Sequence, residues 1–565
     1  MSVLKNVLAT ALLIVAACSI TSAQSLPVGS PALEDYYRRG QLLGTADTTV
    51  SMMVRPLQPA WLKKDVDVFY PDDEERRLNL LGFDRKYLIQ GAGRDLKLLP
   101  LSVQTQFNSD HPYGWNDGAM IPAKGLQTLI SAGIFYKKGP LTIQLRPELV
   151  MAANSSFDTF NKNHYEVIFA RYYDIYNNID LPARFGSNPY VRAFWGQSAV
   201  KLNFGAVAFG ISTENLWWGP GIRNSLLMSN SAPGFKHLTL NTNRPIKTPV
   251  GSFEGQLIAG RLENSGYHPL TPDTTFLNSP LYVPKPTDWR YLSGIVLSWQ
   301  PRWVPGLFLG YSQTRQMYSK DLNSLGDYLP FFSQTKSVTA PDAAIENRDQ
   351  RSAVFMRWLW TKEHAEVYFE FGHNNYNRTA RESALEPENS RGYTFGLRKA
   401  LPFNTTRGES LLIGVEATVL QENDVNKTLQ GYSWYVNKYI RQGYTNRGEI
   451  LGAGIGPGAN LQSLDVSWVR GLKRLGLQLE RYVHNNDFYY YAYSDSKDTR
   501  RHWVDLSLGA SGEWNYKNLI FNAKLAVIRS LNYQWFLLQK PTDPYWINGK
   551  DVTNVQLQAG VTYRF

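Results

Sequence analysis

The chain ends in Val555-Gln556-Leu557-Gln558-Ala559-Gly560-Val561-Thr562-Tyr563-Arg564-Phe565. Odd positions are apolar or aromatic and even positions are polar or glycine. A period of two belongs to a strand whose faces meet different surroundings. A last strand of this kind, finishing on an aromatic residue, is suited to closing a barrel.

The same alternation recurs upstream. Leu519, Phe521, Ala523, Leu525 and Val527 alternate with Ile520, Asn522, Lys524 and Ala526, and Val504, Leu506, Leu508 and Ala510 with Asp505, Ser507, Gly509 and Ser511. Leu141, Ile143, Leu145 and Leu149 alternate with Thr142, Gln144, Arg146 and Glu148 after a turn at Lys137-Lys138-Gly139. Paired runs of about ten residues joined by short turns favour a transmembrane barrel over a soluble sandwich, whose strands are shorter and polar outside. Short connections fall near Lys138, Phe204, Thr248, Trp303, Lys362, Asn404, Lys473 and Tyr516. Long ones fall at 109–125, 154–190, 217–234, 263–289, 317–350, 374–391, 422–460, 484–500 and 532–552. Their strict alternation predicts about eighteen antiparallel strands, with both chain ends on the short-turn side. Outer-membrane barrels keep short turns periplasmic, so both termini are expected in the periplasm.

Composition agrees. Mean hydropathy is −0.34, and after the first residues no apolar run is long enough to span a bilayer, which excludes a helical membrane protein. Aromatics make up 13% of the chain, the supply that interfacial girdles draw on. Lys5 followed by the apolar stretch Val7–Ala17 and by Thr21-Ser22-Ala23 reads as a signal peptide, residues 1–23, cleaved before Gln24. Val15-Ala16-Ala17-Cys18 also resembles a lipobox, leaving lipoprotein processing at Cys18 as the alternative. Cys18 is the single cysteine, so cleavage after Ala23 removes disulfides, thiolate nucleophiles and cysteine metal sites together. The net charge of +11 is compatible with an anionic partner such as acidic polysaccharide or lipopolysaccharide phosphate, or with a basic surface alone. No Lys/Arg run suggests nucleic acid.

Residues 24–98 do not alternate. Ser30-Pro31 looks like an N-cap with Pro at N1, Leu33, Tyr36, Tyr37 and Leu43 follow at helical spacing, and Gly44 is a stop; Asp72–Leu81 is a second helical candidate. The expectation is a small periplasmic helical subdomain or plug, with the barrel occupying 99–565.

One block is more specific than any periodicity: Glu214-Asn215-Leu216-Trp217-Trp218-Gly219-Pro220-Gly221, then Asn224 to Phe235, Arg244-Pro245-Ile246 and Gly251-Ser252-Phe253-Glu254. With Trp115-Asn116-Asp117-Gly118, Ala123-Lys124-Gly125, Glu346 to Gln350 and His484 to Phe488, it resembles the capsule assembly Wzi family of outer-membrane proteins, in the form found in Bacteroidetes. This chain looks longer than the enterobacterial members, so their glycan preference does not carry over. The resemblance implies an eighteen-stranded barrel with a periplasmic helical part. It also implies a lectin-like role, in which capsular or related surface polysaccharide is attached and organised at the cell surface. Outer-membrane lipid, lipopolysaccharide and the assembly machinery, which reads a terminal aromatic such as Phe565, are the other expected partners; a monomer is expected.

Candidate polysaccharide contacts follow from chemistry. Indole and phenol rings offer faces to sugar C–H groups, and Asn, Asp and His offer partners to hydroxyls. These residues are Trp217 and Trp218; His484, Asn486, Asp487, Tyr489, Tyr490 and Tyr491 in one loop; and Trp535 and Trp546 in the last. For the Trp pair an in-folded loop packed under Pro220 competes with glycan stacking. Lumen-facing Arg146, Glu148, Lys524, Asp505 and Arg564 are expected to form a salt-bridged interior. No catalytic motif is present: there is no Gly-x-Ser-x-Gly, no His-Glu-x-x-His and no phosphate loop, and the eight histidines are scattered. No catalytic residue, metal or cofactor is therefore assigned. The rivals are a porin-like channel for solutes or oligosaccharides and a barrel enzyme acting on surface lipid or glycan, whose site would have to assemble in space.

Overall fold

The computed structural model describes residues 25–58, 68–71, 95–161, 163–272, 274–323, 325–329, 348–375, 381, 385, 388, 390–422, 433–538 and 550–565. The signal segment, the 72–81 helix candidate and Trp546 lie outside them. Among the described residues, eighteen antiparallel strands form one closed barrel. They are β1 (Leu96–Asn108), β2 (Gly125–Lys138), β3 (Leu141–Leu145 with Glu148–Ala152), β4 (Tyr190–Phe194 with Ala199–Phe204), β5 (Val207–Ser212) and β6 (His237–Thr242 with Ile246–Thr248). They continue as β7 (Gly251–Leu262), β8 (Arg290–Pro301), β9 (Leu307–Tyr318), β10 (Asp349–Trp360), β11 (Ala365–Asn375) and β12 (Arg391–Asn404). The last six are β13 (Glu409–Val419), β14 (Asn460–Arg470), β15 (Lys473–Val483), β16 (Val504–Tyr516), β17 (Leu519–Leu531) and β18 (Val552–Tyr563). Each strand pairs with its neighbours in sequence, and β18 pairs with β1 from Leu101–Tyr563 to Asn108–Gln556. Short and long connections alternate throughout, as their spacing in the sequence predicts.

The faces are inverted relative to a soluble protein. Leu475, Leu477 and Leu479 on β15, Leu506 and Leu508 on β16, Leu525 and Val527 on β17 and Leu557 and Val561 on β18 point outward and are exposed. Asn554 and Gln556 on β18, Asp505 and Ser507 on β16 and Ser530 on β17 are buried inside. An exposed apolar belt around a polar interior is the surface of a membrane-inserted barrel.

That interior is filled at the short-turn end by the chain's own N-terminal segment. Its helix α1 (Pro31–Leu42) starts with Pro at its first position and stops before Gly44, which takes the left-handed φ of +71°. Charge holds it. Glu366 of β11 receives Arg38 of α1 at 2.8 Å and Arg357 of β10 at 2.6 Å, with Arg398 of β12 at 3.7 Å. Asp35 of α1 binds Arg39 at 2.6 Å and Arg398 at 2.5 Å, with Arg474 of β15 at 3.6 Å. Arg39 also reaches the carbonyl of Gly471, and His364 that of Leu42, tying α1 to two of the short turns.

This network corrects the expected interior one. Arg146, Glu148, Asp505 and Arg564 do point inward and are buried, but none of the five expected charges ion-pairs with another. Arg146 donates to Ser131, Glu148 accepts from Gln197, Asp505 pairs with His484, and Arg564 donates to the carbonyls of Phe69 and Lys517. Strand alternation fixes which charges face the bore, but not what enters the bore to meet them.

Glu366→Gln leaves three guanidinium groups facing a neutral amide. The expected loss is on the order of 3–5 kcal/mol, read as a lower urea midpoint or a lower temperature for the shift of the folded band in semi-native gels.

Candidate functional site

Two structures are built at the long-loop end, one folded inward and one lining the mouth. The inward one is the 213–236 connection, which carries the Trp-Trp-Gly-Pro-Gly block. Trp217–Trp218 pairs as a short ribbon with Val54–Arg55 of the N-terminal segment, so material from both ends of the barrel meets in the bore. The Trp218 indole donates to Gln256 of β7 at 2.9 Å and lies over Gly294 of β8, where a Cβ would stand 2.8 Å from the ring. Arg55 lies 5.1 Å from the Trp217 ring. Glu416 of β13 accepts the consecutive backbone N–H groups of Ile222, Arg223 and Asn224 at 2.7, 3.0 and 2.9 Å. Trp217 and Trp218 are 3% and 0% exposed. Trp218 is wholly covered and Trp217 borders only the bore cavity beside Arg55, so the competing in-folded reading is the one this geometry carries.

The mouth is lined by aromatic loops. The 153–189 connection carries α2 (Glu166–Tyr176), and the 484–503 connection carries α3 (Asn486–Tyr493). Ile168, Phe169, Tyr173 and Tyr176 of α2 and Phe488, Tyr489, Ala492 and Tyr493 of α3 join Phe160, Trp503, Tyr533 and Trp535 in one cluster. Phe160 stacks on Tyr172 at 4.3 Å, and Phe488 and Trp503 meet Trp535 edge-on at 4.8 and 5.0 Å. Edge-on and offset contacts are the favoured geometries for such rings and fix their positions. Beside the cluster lies a cavity of about 310 Å³, walled by Tyr172, Tyr176, Tyr482, Phe488, Trp503 and Trp535 and floored by the 112–117 segment. A second cavity, of about 430 Å³, lies in the bore beneath that segment and is lined by α1 and wall charges.

The sequence candidates divide. His484 and Trp535 line the mouth cavity; His484 is stacked on Trp503 at 3.6 Å, and its Nε2 lies 2.7 Å from Asp505. Asn486 and Asp487 fasten loops. Asn486 donates to Gln421, and Asp487 accepts from Ser433 and from the N–H of Glu422. Burial pushes the Asp487 carboxyl up to about 6. Gly458, at a φ of +61°, is required there, since a Cβ would lie 2.7 Å from that carboxylate. Tyr489 is buried against His502 at 3.5 Å. Tyr490 and Tyr491, 50% and 47% exposed, lie on the outside of α3, apart from the cavity lining.

Sequence reasoning passed over α2, although Ile168, Tyr172 and Tyr176 recur at four-residue spacing inside a long loop. It also passed over two acidic lining residues. Asp117, after the turn at Asn116 (φ 62°), sits on the cavity floor. Glu449 comes from the 420–459 connection, in a ribbon pairing Asn446 with Glu449. Burial pushes the Asp117 carboxyl up to about 7 and raises Glu449 well above the carboxylate range, the charge of Asp117 adding to it.

One catalytic-looking constellation assembles in space. Ser530 Oγ lies 3.3 Å from His111 Nε2, and Asp110 Oδ2 lies 3.1 Å from His111 Nδ1. The order is that of a hydrolase triad. Ser530 and His111 are 0% and 1% exposed, so no carbonyl can reach the hydroxyl.

Replacing Trp218 with Ala is expected to cost about 3–5 kcal/mol of stability, whereas Tyr490→Ser changes it by less than about 0.5 kcal/mol. Urea unfolding of the detergent-solubilised variants separates the two.

Comparison with known proteins places this architecture. No curated protein matches the chain in sequence. Among solved structures, the fold is similar to that of Escherichia coli Wzi, an outer-membrane protein involved in group 1 capsule assembly and described as a carbohydrate-binding β-barrel. The match has a TM-score of 0.57 at 12% identity and covers 97% of this chain and 100% of that one. Acinetobacter baumannii OccAB4 and Pseudomonas aeruginosa OccK8 both match with a TM-score of 0.39, at 9% and 11% identity, each over 83% of this chain and 98% of the other. The sequence profile of the capsule assembly protein Wzi matches residues 141–525, well over half of the chain, and the chain belongs to that family.

Proposed function

We propose that this chain is a lectin-like barrel of the outer membrane that attaches and organises capsular or related surface polysaccharide. The observation that carries the reading is the aromatic-walled mouth cavity, built by six of the long connections and held by ring contacts and buried hydrogen bonds. Its size is at the lower end of the roughly 300–1,000 Å³ of small-molecule pockets, enough for a sugar residue or two of a longer polymer. Single-site affinity of that kind is weak, and repeats along one chain engaging many barrels supply the retention. Carbohydrate binding by the E. coli relative supports the same reading.

In this proposal the short turns and both termini face the periplasm, the 24–98 segment is a periplasmic plug, and the long loops face outward among lipopolysaccharide. The barrel works as a monomer, inserted by the outer-membrane assembly machinery. It acts by binding and needs no cofactor or metal. Burial of Ser530 argues against a hydrolase, so an active-site serine probe such as a fluorophosphonate is expected to leave the protein unlabelled. The N-terminal segment and the 213–236 connection meeting in the bore argue against a porin-like channel.

Deleting the gene should leave polymer synthesis intact and shift the polymer from cells to medium. Cell-bound polymer at the parental level would refute attachment. The purified protein should pass only a small, irregular current in planar bilayers; a large steady conductance would favour the channel. Trp535→Ala should weaken retention about tenfold, scored by polymer pull-down.

A further inference from the structure

The charge around the mouth cavity runs against the charge of the chain. The sequence carries a net +11, and this alone suits an acidic polymer. Among the described residues the cavity lining has no lysine or arginine; its acidic groups are the carboxyls of Asp117 and Glu449, and His484 and tyrosines are the other titratable groups there. Glu449 is 7% exposed and lines the cavity, and among the described residues no side chain hydrogen-bonds or ion-pairs with it. The Trp535 indole N–H, buried in the same wall, also has no hydrogen-bond partner among the described residues. Two nearby cations rest on lining rings without lining the cavity themselves. Lys285 lies over the Tyr176 ring at 4.7 Å, and Arg223 lies over the Trp115 ring at 5.2 Å with its charge engaged by Glu480 at 2.5 Å; neither lines the cavity.

A buried carboxylate without a cation is costly, and a ligand that brings the cation relieves that cost. Aromatic walls attract the same group, because an ammonium is drawn to the faces of indole and phenol rings. We propose that the mouth cavity selects a sugar residue bearing a free amino group, held as an ammonium between Asp117 and Glu449 and against the aromatic wall. It discriminates against N-acetylated residues, which lack the charge, and against uronic acids, whose carboxylates would meet two others. This selection rests on the glycan-binding reading above and adds the ligand class.

The test uses the full-length protein in detergent, titrated by calorimetry with tetramers of glucosamine, N-acetylglucosamine and galacturonic acid. The glucosamine tetramer should bind at least tenfold more tightly than the N-acetylated one, and the galacturonate should bind least. In Glu449→Gln and Asp117→Asn, the ratio of the first two affinities should fall toward one, with the folded gel band verified for each variant. Equal affinities in the parent, a preference for the acidic tetramer, or a ratio unmoved in both folded variants would overturn the amine selection and leave glycan binding standing. Absence of binding to all three tetramers and to the organism's own polymer would overturn both.

Discussion

A peptide group facing lipid has no water to bond, so every N–H and C=O in the belt must find its partner within the protein. The pairing of β18 with β1 meets that demand, because it leaves no strand edge. Other features are consequences. Closure with period-two strands puts leucine and valine outside and amides, serines and charges inside. It also encloses a bore lined with polar groups that need partners, and in this chain protein supplies many of them.

The partners come from both ends and are held by a shared device. Buried glutamates on the wall each grip an element that enters the lumen. Glu366 holds α1 through Arg38, and Glu254 accepts the N–H and hydroxyl of Ser51 at 2.8 and 2.6 Å. Glu416 holds three backbone groups of the 213–236 connection, and Glu370 accepts the N–H of Leu226 at 3.2 Å. Each wall glutamate costs desolvation unless the incoming element satisfies it. Barrel and filling are therefore mutually dependent: neither the α1 segment nor the 213–236 connection can withdraw without stranding charge.

The sequence conveyed the barrel well because its signal is local and repeated. Alternation in β15 to β18 is plain, and the rhythm of short and long connections fixes strand number and direction even where a single strand is ambiguous. The α1 boundaries were also legible, from Pro31 and Gly44. The direction a loop takes was not. Trp217 and Trp218 left an in-folded, packed loop in competition with a sugar platform, and the approach of Val54–Arg55 and the bare surface at Gly294 carry the first. The mouth site was half legible. His484 and Trp535, named for their ring and donor chemistry, line the cavity, and the spacing of Ile168, Tyr172 and Tyr176 was readable but overlooked. Asp117 and Glu449 come from loops far apart in the chain, and no local pattern announces their meeting.

That meeting bears on what the net charge of such a protein means. Long-range potential gathers anions at a basic surface, but it is screened beyond roughly 10 Å in physiological salt. What a cavity recognises is set by the groups that line it, where burial amplifies each charge. Here the basic residues mostly serve the interior and the surface: Arg38, Arg357 and Arg398 are spent on Glu366 and Asp35, Arg223 on Glu480, Lys201 on Glu214. At the mouth, Asp117 and Glu449 have no such cationic partner among the described residues. A barrel of this kind can carry a net positive charge and still have an acidic, aromatic mouth cavity.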